Sequence, residues 1–371
     1  MIINNQKSEV KIMKKQGFTI FLMLFCMAWG VGLGQPAVAQ EKAVLHVVAT
    51  LPDYAYVAKE IGGERITVEH IVQGVQYPHN IRPKPSFIQM VKNADMLVAT
   101  GLDLEMWLPT VIDKSGNAKV RSGEKGYVSV AEGIQMIEIP KVLSMIEGDV
   151  HTLGNPHLTC CPLNMCKVAR NITTGLIKND PEGKGIYEEN LKQFKNKIHV
   201  HLFGEELVTL FGGELLCQMA QQDKLLDFLE KNKFQDKPLI EKLGGWMKKM
   251  LPMRGIPIVT FHKNWSYLTR IYGLEVPMYV EPKPGIPPSA KHVNDLIAMM
   301  RERNIGILFC ANYFDERKIQ TIAERVGAEA IRVPLYVGGA EGLDDYFKLM
   351  DCWTDKLIEA AQKKGLIERK Q

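Results

Sequence analysis

The chain lacks the surplus charge of a nucleic-acid-binding protein. Its 371 residues carry 46 lysines and arginines against 42 aspartates and glutamates, a formal net charge of +4. Lys7, Lys11, Lys14 and Lys15 against Glu9 place +3 of this within residues 1–39, so the remaining 332 residues are near +1. Nucleic acid is held through many phosphate contacts from one basic face, and no such partner is expected. Cysteine is sparse, 7 in all. There is no C-x-x-C-H haem signature, no paired C-x-x-C zinc signature and no dense disulfide framework. H-E-x-x-H is absent, as are heptad arrays and solenoid repeats. No apolar run beyond the N-terminus is long enough to span a membrane. What is present, 46% hydrophobic and 24% charged residues, is ordinary globular composition. A length of 332 suggests two domains, because single cores rarely grow past ~250–300 residues.

Residues 1–39 have the three regions of an export signal. Lys14 and Lys15 make a basic start, 18–31 is apolar, and Ala37-Val38-Ala39 forms the small-residue cleavage pattern. Met13 makes a more usual start than Met1. Gly30, Gly32, Gly34 and Pro36 leave the apolar stretch short for a ~20-residue span. Leu24-Phe25 is too bulky before Cys26 for a lipoprotein signal. Cleavage after Ala39 and a soluble periplasmic or extracytoplasmic product are expected.

The rest alternates strand and helix. Strands are expected over 44–50, 65–72, 96–100 and 127–130, with helices over 54–61, 85–93 (Ser86 as N-cap) and 104–112. A second series places strands at 256–261, 274–280, 305–310 and 328–335, with helices at 265–272, 289–303, 315–326 and 344–363. Strands separated by such helices imply an α/β fold with parallel sheets covered on both faces. Between the two series, 187–251 is lysine-rich, leucine-periodic and nearly free of β-rich runs, with breaks near Gly204, Gly212-Gly213 and Gly244-Gly245. The expected organisation is a signal peptide (1–39), an N-terminal α/β lobe (40–180), a helical connector with an insertion (181–251) and a C-terminal α/β lobe (252–371).

Open α/β sheets bind ligands beyond the carboxyl ends of their strands. Three of the nine histidines fall in such positions. His79 follows the second strand, His262 directly follows the strand 256–261, and His157 closes Gly154-Asn155-Pro156-His157 before a helix. Imidazole suits zinc, and three such ligands plus one further position make a tetrahedral site. Spacing alone also admits surface or supporting roles for each. His151 is a candidate to support the site from outside it. His199-Val200-His201 has the look of a ligand pair but sits in the helical connector.

The motifs carry a resemblance. Tyr77-Pro78-His79 through Arg82-Pro83-Lys84-Pro85-Ser86, Ala94 to Val98 and Gly101 to Leu108 resemble the N-lobe of the zinc- and manganese-binding solute-binding proteins of ABC transporters (cluster A-I, or cluster 9). Gly154-Asn155-Pro156-His157 resembles their second ligand motif, and Phe261-His262-Lys263-Asn264-Trp265-Ser266-Tyr267 their third. The segments 280–289 and Val337-Gly338-Gly339 before Asp344-Asp345-Tyr346-Phe347 also fit, so the similarity covers nearly all of 44–365. The resemblance implies two Rossmann-like lobes, each around a four-stranded sheet, joined by a long helix. It implies a metal ion bound between them by His79, His157 and His262, and a membrane permease that receives it.

The sequence departs from that family in three places. Leu158-Thr159-Cys160-Cys161-Pro162 stands where an aromatic and an aspartate usually follow the second histidine. Cys160 and Cys161 therefore lie near the presumed site, with packing the favoured role, and the role and redox state of Cys160, Cys161 and Cys166 are left open. The fourth ligand, often a carboxylate before the last helix, is open between Glu281, Glu341, Asp344 and water. No long histidine-rich loop follows His79, and residues 203–250 form an insertion of underived purpose. Three nitrogens favour Zn²⁺ over Mn²⁺ as cargo. The expected protein is a monomeric carrier, not an enzyme, whose affinity falls as pH drops through ~6.5. The proline-rich segment 282–288 restricts motion. The alternative is an exported zinc-dependent hydrolase, in which an open fourth position activates water.

Overall fold

The structure is a computed structural model that describes residues 44–140, 151–283 and 285–368. The expected signal peptide and Pro284 lie outside the described residues. In the first lobe, β1 (Leu45–Ala49) and β3 (Met96–Ala99) are continuous apolar runs because both of their faces are covered. Val47, Val48, Met96, Leu97 and Val98 have no exposed surface. β2 (Ile66–His70) sits at an edge and alternates between inward and outward positions. With β4 (Tyr127–Ser129) they form a parallel sheet in the order β2-β1-β3-β4.

The intervening helices are α1 (Pro52–Gly62), α2 (Pro85–Asn93) and α3 (Leu108–Ser115). Pro52 and Pro85 open their helices, where the fixed φ suits the first turn and the missing N–H costs nothing. Ser86 is therefore inside α2 rather than its cap; Lys84 precedes the helix with no side-chain cap bond. The chain leaves β1 toward β2 on one side and returns to β3 on the other. This opens a crevice at their carboxyl ends. Glu105 fills it: one carboxylate oxygen accepts from Thr50 Oγ1 at 2.6 Å, Thr100 Oγ1 at 2.7 Å and the Thr100 amide at 3.1 Å. Burial raises the pKa of this carboxyl.

The connector is helical as expected. α4 (Pro162–Asn179) and α5 (Lys184–Phe203) pack along the first lobe. α6 (Glu205–Phe211), α7 (Gly213–Gln221), α8 (Leu225–Lys231) and α9 (Gly245–Met250) build the insertion. Gly204 and Gly244 let two chain segments cross: a Cβ on Gly204 would stand 2.7 Å from Gly244 Cα. A two-stranded hairpin, β5 (Lys233–Phe234) and β6 (Lys237–Pro238), was not expected. Its turn residues Gln235 and Asp236 take φ of 51° and 64°, a primed turn without the usual Asn-Gly signal.

The second lobe carries β7 (Val259–Thr260), α10 (Ser266–Tyr272), α11 (Ala290–Glu302), β8 (Ile307–Ala311), α12 (Glu316–Val326), β9 (Glu329–Val333) and α13 (Tyr346–Lys363). β7-β8-β9 form a parallel sheet. The fourth position, expected over 274–280, is held only by parallel bridges Pro257–Glu275 and Thr260–Tyr279. Pro277 lies between those bridges and has no N–H to give a ladder. Ser289, Asp315 and Asp345 cap the three long helices by accepting from backbone amides. Behind β8, Trp265 packs on Phe309 and Trp353. α5 reaches this lobe at its end, where His201 lies 4.7 Å from the Phe347 ring.

Candidate metal centre

Each lobe supplies histidines from segments fixed by specific bonds. His79 lies in a single 3₁₀ turn, Pro78–Asn80, after β2. The Trp107 indole N–H holds that turn by donating to the Pro78 carbonyl at 2.8 Å. His151 and His157 bracket a tight loop before α4. Thr152 anchors it by donating its amide and hydroxyl to Asp103 Oδ2 at 2.8 and 2.5 Å. Gly154 has φ +105°, and a Cβ there would meet Met136 Cβ at 2.8 Å, so the loop needs glycine. His262 follows β7, with Nδ1 3.2 Å from the Glu281 carbonyl oxygen.

These segments bring four imidazoles together. Ring centroids are 4.9 Å apart for His79–His151, 5.4 Å for His79–His157, 5.7 Å for His151–His157 and 5.9 Å for His157–His262. Ligand nitrogens of His79, His151 and His157 all lie within 4.8 Å of one another. His79 Nε2, His262 Nε2 and both ring nitrogens of His151 and His157 are buried without a hydrogen-bond partner. Burial of this kind is costly for polar atoms unless something binds them.

Desolvation keeps all four rings neutral. Burial, reinforced by the neighbouring imidazoles, holds His79 and His157 well below the usual histidine range. Burial lowers His151 and His262 to about 4. The cluster is thus a set of uncharged nitrogen donors, the form that coordinates a metal ion.

The lobes are tied directly beside it. Asn155 Nδ2 donates to the Lys263 carbonyl at 2.8 Å and to Glu138 Oε2 at 2.9 Å, while its Oδ1 accepts from the His157 amide at 3.0 Å. Tyr267 donates its hydroxyl to the Asn155 carbonyl at 2.9 Å. Glu138 Oε1 also accepts from Ser266 and Tyr279 at 2.9 and 3.1 Å. From the second lobe, Tyr313 and Phe314 pack on Tyr77, whose ring lies 4.9 Å from His79.

His79, His157 and His262 are therefore together, and His151 joins them rather than standing outside. The carboxylates weighed as a fourth donor are engaged elsewhere or exposed: Glu281 Oε1 accepts from the Gly285 amide at 3.1 Å, Asp344 pairs with Lys348 at 3.0 Å, and Glu341 is exposed. Cys160 and Cys161 are buried, and burial pushes their thiols up, Cys161 to about 11. Cys166 belongs to a different cluster with His199 and Cys217. His199 and His201 are not a pair, because residues two apart face different sides of a helix. Glu138 and Asn155 carry no ligand signature of their own in the sequence, although Asn155 lies within Gly154-Asn155-Pro156-His157.

Residues 47–200 and 227–360 match the family described as zinc-uptake complex component A, periplasmic. The chain belongs to this family. Members of the zinc-uptake component A family are metal-binding solute-binding proteins of ABC transporters, not enzymes, so the hydrolase alternative loses its support. Among relatives, the manganese ABC transporter substrate-binding lipoprotein PsaA of Streptococcus anginosus is 26% identical over 364 residues, covering 95% of this chain and all of that one. The metal ABC transporter substrate-binding lipoprotein SsaB of Streptococcus sanguinis is 24% identical over 359 residues, covering 95% and 100%. A solved zinc-bound ZnuA deletion mutant shares the fold with a TM-score of 0.63 and 22% identity, covering 85% of this chain and 98% of that one. The laminin-binding protein Lmb of Streptococcus agalactiae gives 0.62 at 19% identity, covering 85% and 99%.

Proposed function

We propose that this family member captures Zn²⁺ as cargo between its lobes, with His79, His151, His157 and His262 as ligands, and delivers it to an ABC permease. The observation that carries this reading is a set of buried, partnerless imidazole nitrogens: those of His79, His151 and His157 in the first lobe lie within 4.8 Å of one another, and His262 of the second lobe stands beside His157 with its Nε2 unpartnered. Four neutral nitrogens suit tetrahedral zinc at ~2.0–2.1 Å, whereas Mn²⁺ prefers more oxygen donors. The PsaA relatives are named for manganese. Among the described residues no carboxylate joins the histidine group, and this favours Zn²⁺ for this chain.

The same reading keeps the four-part division at 39/40, 180/181 and 251/252, a monomeric carrier, and export with cleavage after Ala39. Mass spectrometry of the exported protein tests the last point: a mature N-terminus at Gln40 supports it, and a lipid-modified Cys26 refutes it.

The test of cargo is competitive titration of the metal-free mature protein with Zn²⁺ and Mn²⁺. Zinc is expected to win by several orders of magnitude, with affinity falling at least 100-fold, about 2.7 kcal/mol, in His157→Ala. Preference for manganese, or affinity indifferent to His157, contradicts the proposal.

A further inference from the structure

The described residues contain a second convergence of ligand atoms that the histidine cluster does not use. Cys166 on α4, His199 on α5 and Cys217 on α7 are buried, and their ligand atoms lie within 4.8 Å of one another. Cys166 Sγ is 3.9 Å from His199 Nε2. Tetrahedral zinc with bonds of ~2.0–2.3 Å needs donors roughly 3.5–3.8 Å apart, so an adjustment of about an ångström suffices.

We propose that Cys166, His199 and Cys217 form a second, structural site for Zn²⁺ that fastens the insertion to the first lobe. The site stands apart from the cargo reading and does not depend on it.

Three features support it. First, the two thiols and the imidazole are in contact, and the shared hydrogen bond that lowers the Cys166 thiol raises that of Cys217, so the pair holds a proton that an ion would displace. A thiolate is the form that binds metal. Second, Glu214, in the first turn of α7, has its Oε1 3.9 Å from His199 Nε2 and is paired with Lys195. It offers the fourth donor, and Lys195 offsets the added charge. A surface pocket lined by Cys166, Arg170, Glu214, Cys217 and Gln218 gives an ion a path inward. Third, Gly213 has no room for a side chain, since a Cβ would lie 1.9 Å from His199 Nδ1. The close seat of α7 on α5 is built around that imidazole. The three ligands come from three helices, so one ion would cross-link them, as closed structural zinc sites do.

The experiment uses the full mature chain, reduced and metal-free, loaded separately with Zn²⁺ and Co²⁺. Native mass spectrometry is expected to count two zinc ions, and Co²⁺ to give a thiolate-to-metal charge-transfer band in the near ultraviolet. Cys166→Ser with Cys217→Ser should remove the band and one zinc, while His79→Ala with His157→Ala should keep the band and lose the other zinc. The wild-type spectrum needs no variant to fold. Absence of the charge-transfer band in the wild type overturns the proposal. So does a Cys166–Cys217 disulfide in protein isolated without reductant that persists when zinc is supplied.

Discussion

His151 shows how much rests on one side chain at the residue scale. Its ring stacks on His79 at 4.9 Å, and neither of its nitrogens has a partner. His151→Ala is expected to weaken zinc binding by roughly 10-fold or more, about 1.4 kcal/mol, measured by chelator competition; unchanged affinity would return the fourth position to water. Asp53 carries a separate prediction. Burial raises its carboxyl to about 7, and only the Val337 amide, at 3.2 Å from Oδ2, reaches it from the second lobe. A carboxyl whose folded pKa is raised contributes stability fully below its ordinary value of 3.8 and loses it as pH rises through about 7. Asp53→Asn is therefore expected to raise the melting temperature at pH 8 and to leave it unchanged at pH 3.5. An equal effect at both pH values would show that ionisation is not the cause. At this scale the sequence made His79, His157 and His262 legible through their places after strands and in turns. It did not place His151 beside His79 and His157, because the loop that carries it is anchored only in the fold, by Thr152 donating to Asp103. Glu138 left no trace in the sequence, since its role comes from bonds to residues 17 to 141 positions away.

Elements were readable where periodicity and punctuation agreed. Ser289 and Asp315 mark helix starts in sequence and cap those helices in the fold. The 274–280 run looked like a strand from its β-rich residues, but Pro277 withholds an amide and reduces it to two bridges. The hairpin at 233–238 was hidden because Gln235-Asp236 is a weak turn signal. The loop 151–157 and the turn after β7 act as one unit through Asn155 and Glu138. Asn155→Ala is expected to lower zinc affinity about 10- to 100-fold without removing a ligand, as loss of supporting bonds does at metal sites, and chiefly through faster release in stopped-flow chelation. An unchanged release rate would mean that the lobes hold the ion without this tie.

For the whole molecule, the histidine cluster sets an acid limit. Its folded pKa values lie below the unfolded value of 6.5, so the stability it contributes is fully present above ~6.5 and is lost as pH falls toward 4 and below. In the folded state the rings stay neutral to about 4 for His151 and His262. Zinc release should therefore set in below the ~6.5 of an unperturbed imidazole, as pH falls toward about 4; half-release at pH 6.5 would contradict the burial argument. The lobes are already bonded through Asn155, Glu138 and Asp53, and α5 packs on both. Solution scattering is expected to change little on zinc addition, and a contraction of several ångströms would point to a hinge instead. The central claim is that four imidazoles from two lobes share one ion. A crystal structure of the zinc-loaded protein with anomalous data at the zinc edge tests it most directly. The account predicts a peak between His79, His151, His157 and His262 with nitrogens at ~2.0–2.1 Å; a peak that excludes His262, or one completed by a carboxylate in place of His151, would contradict it.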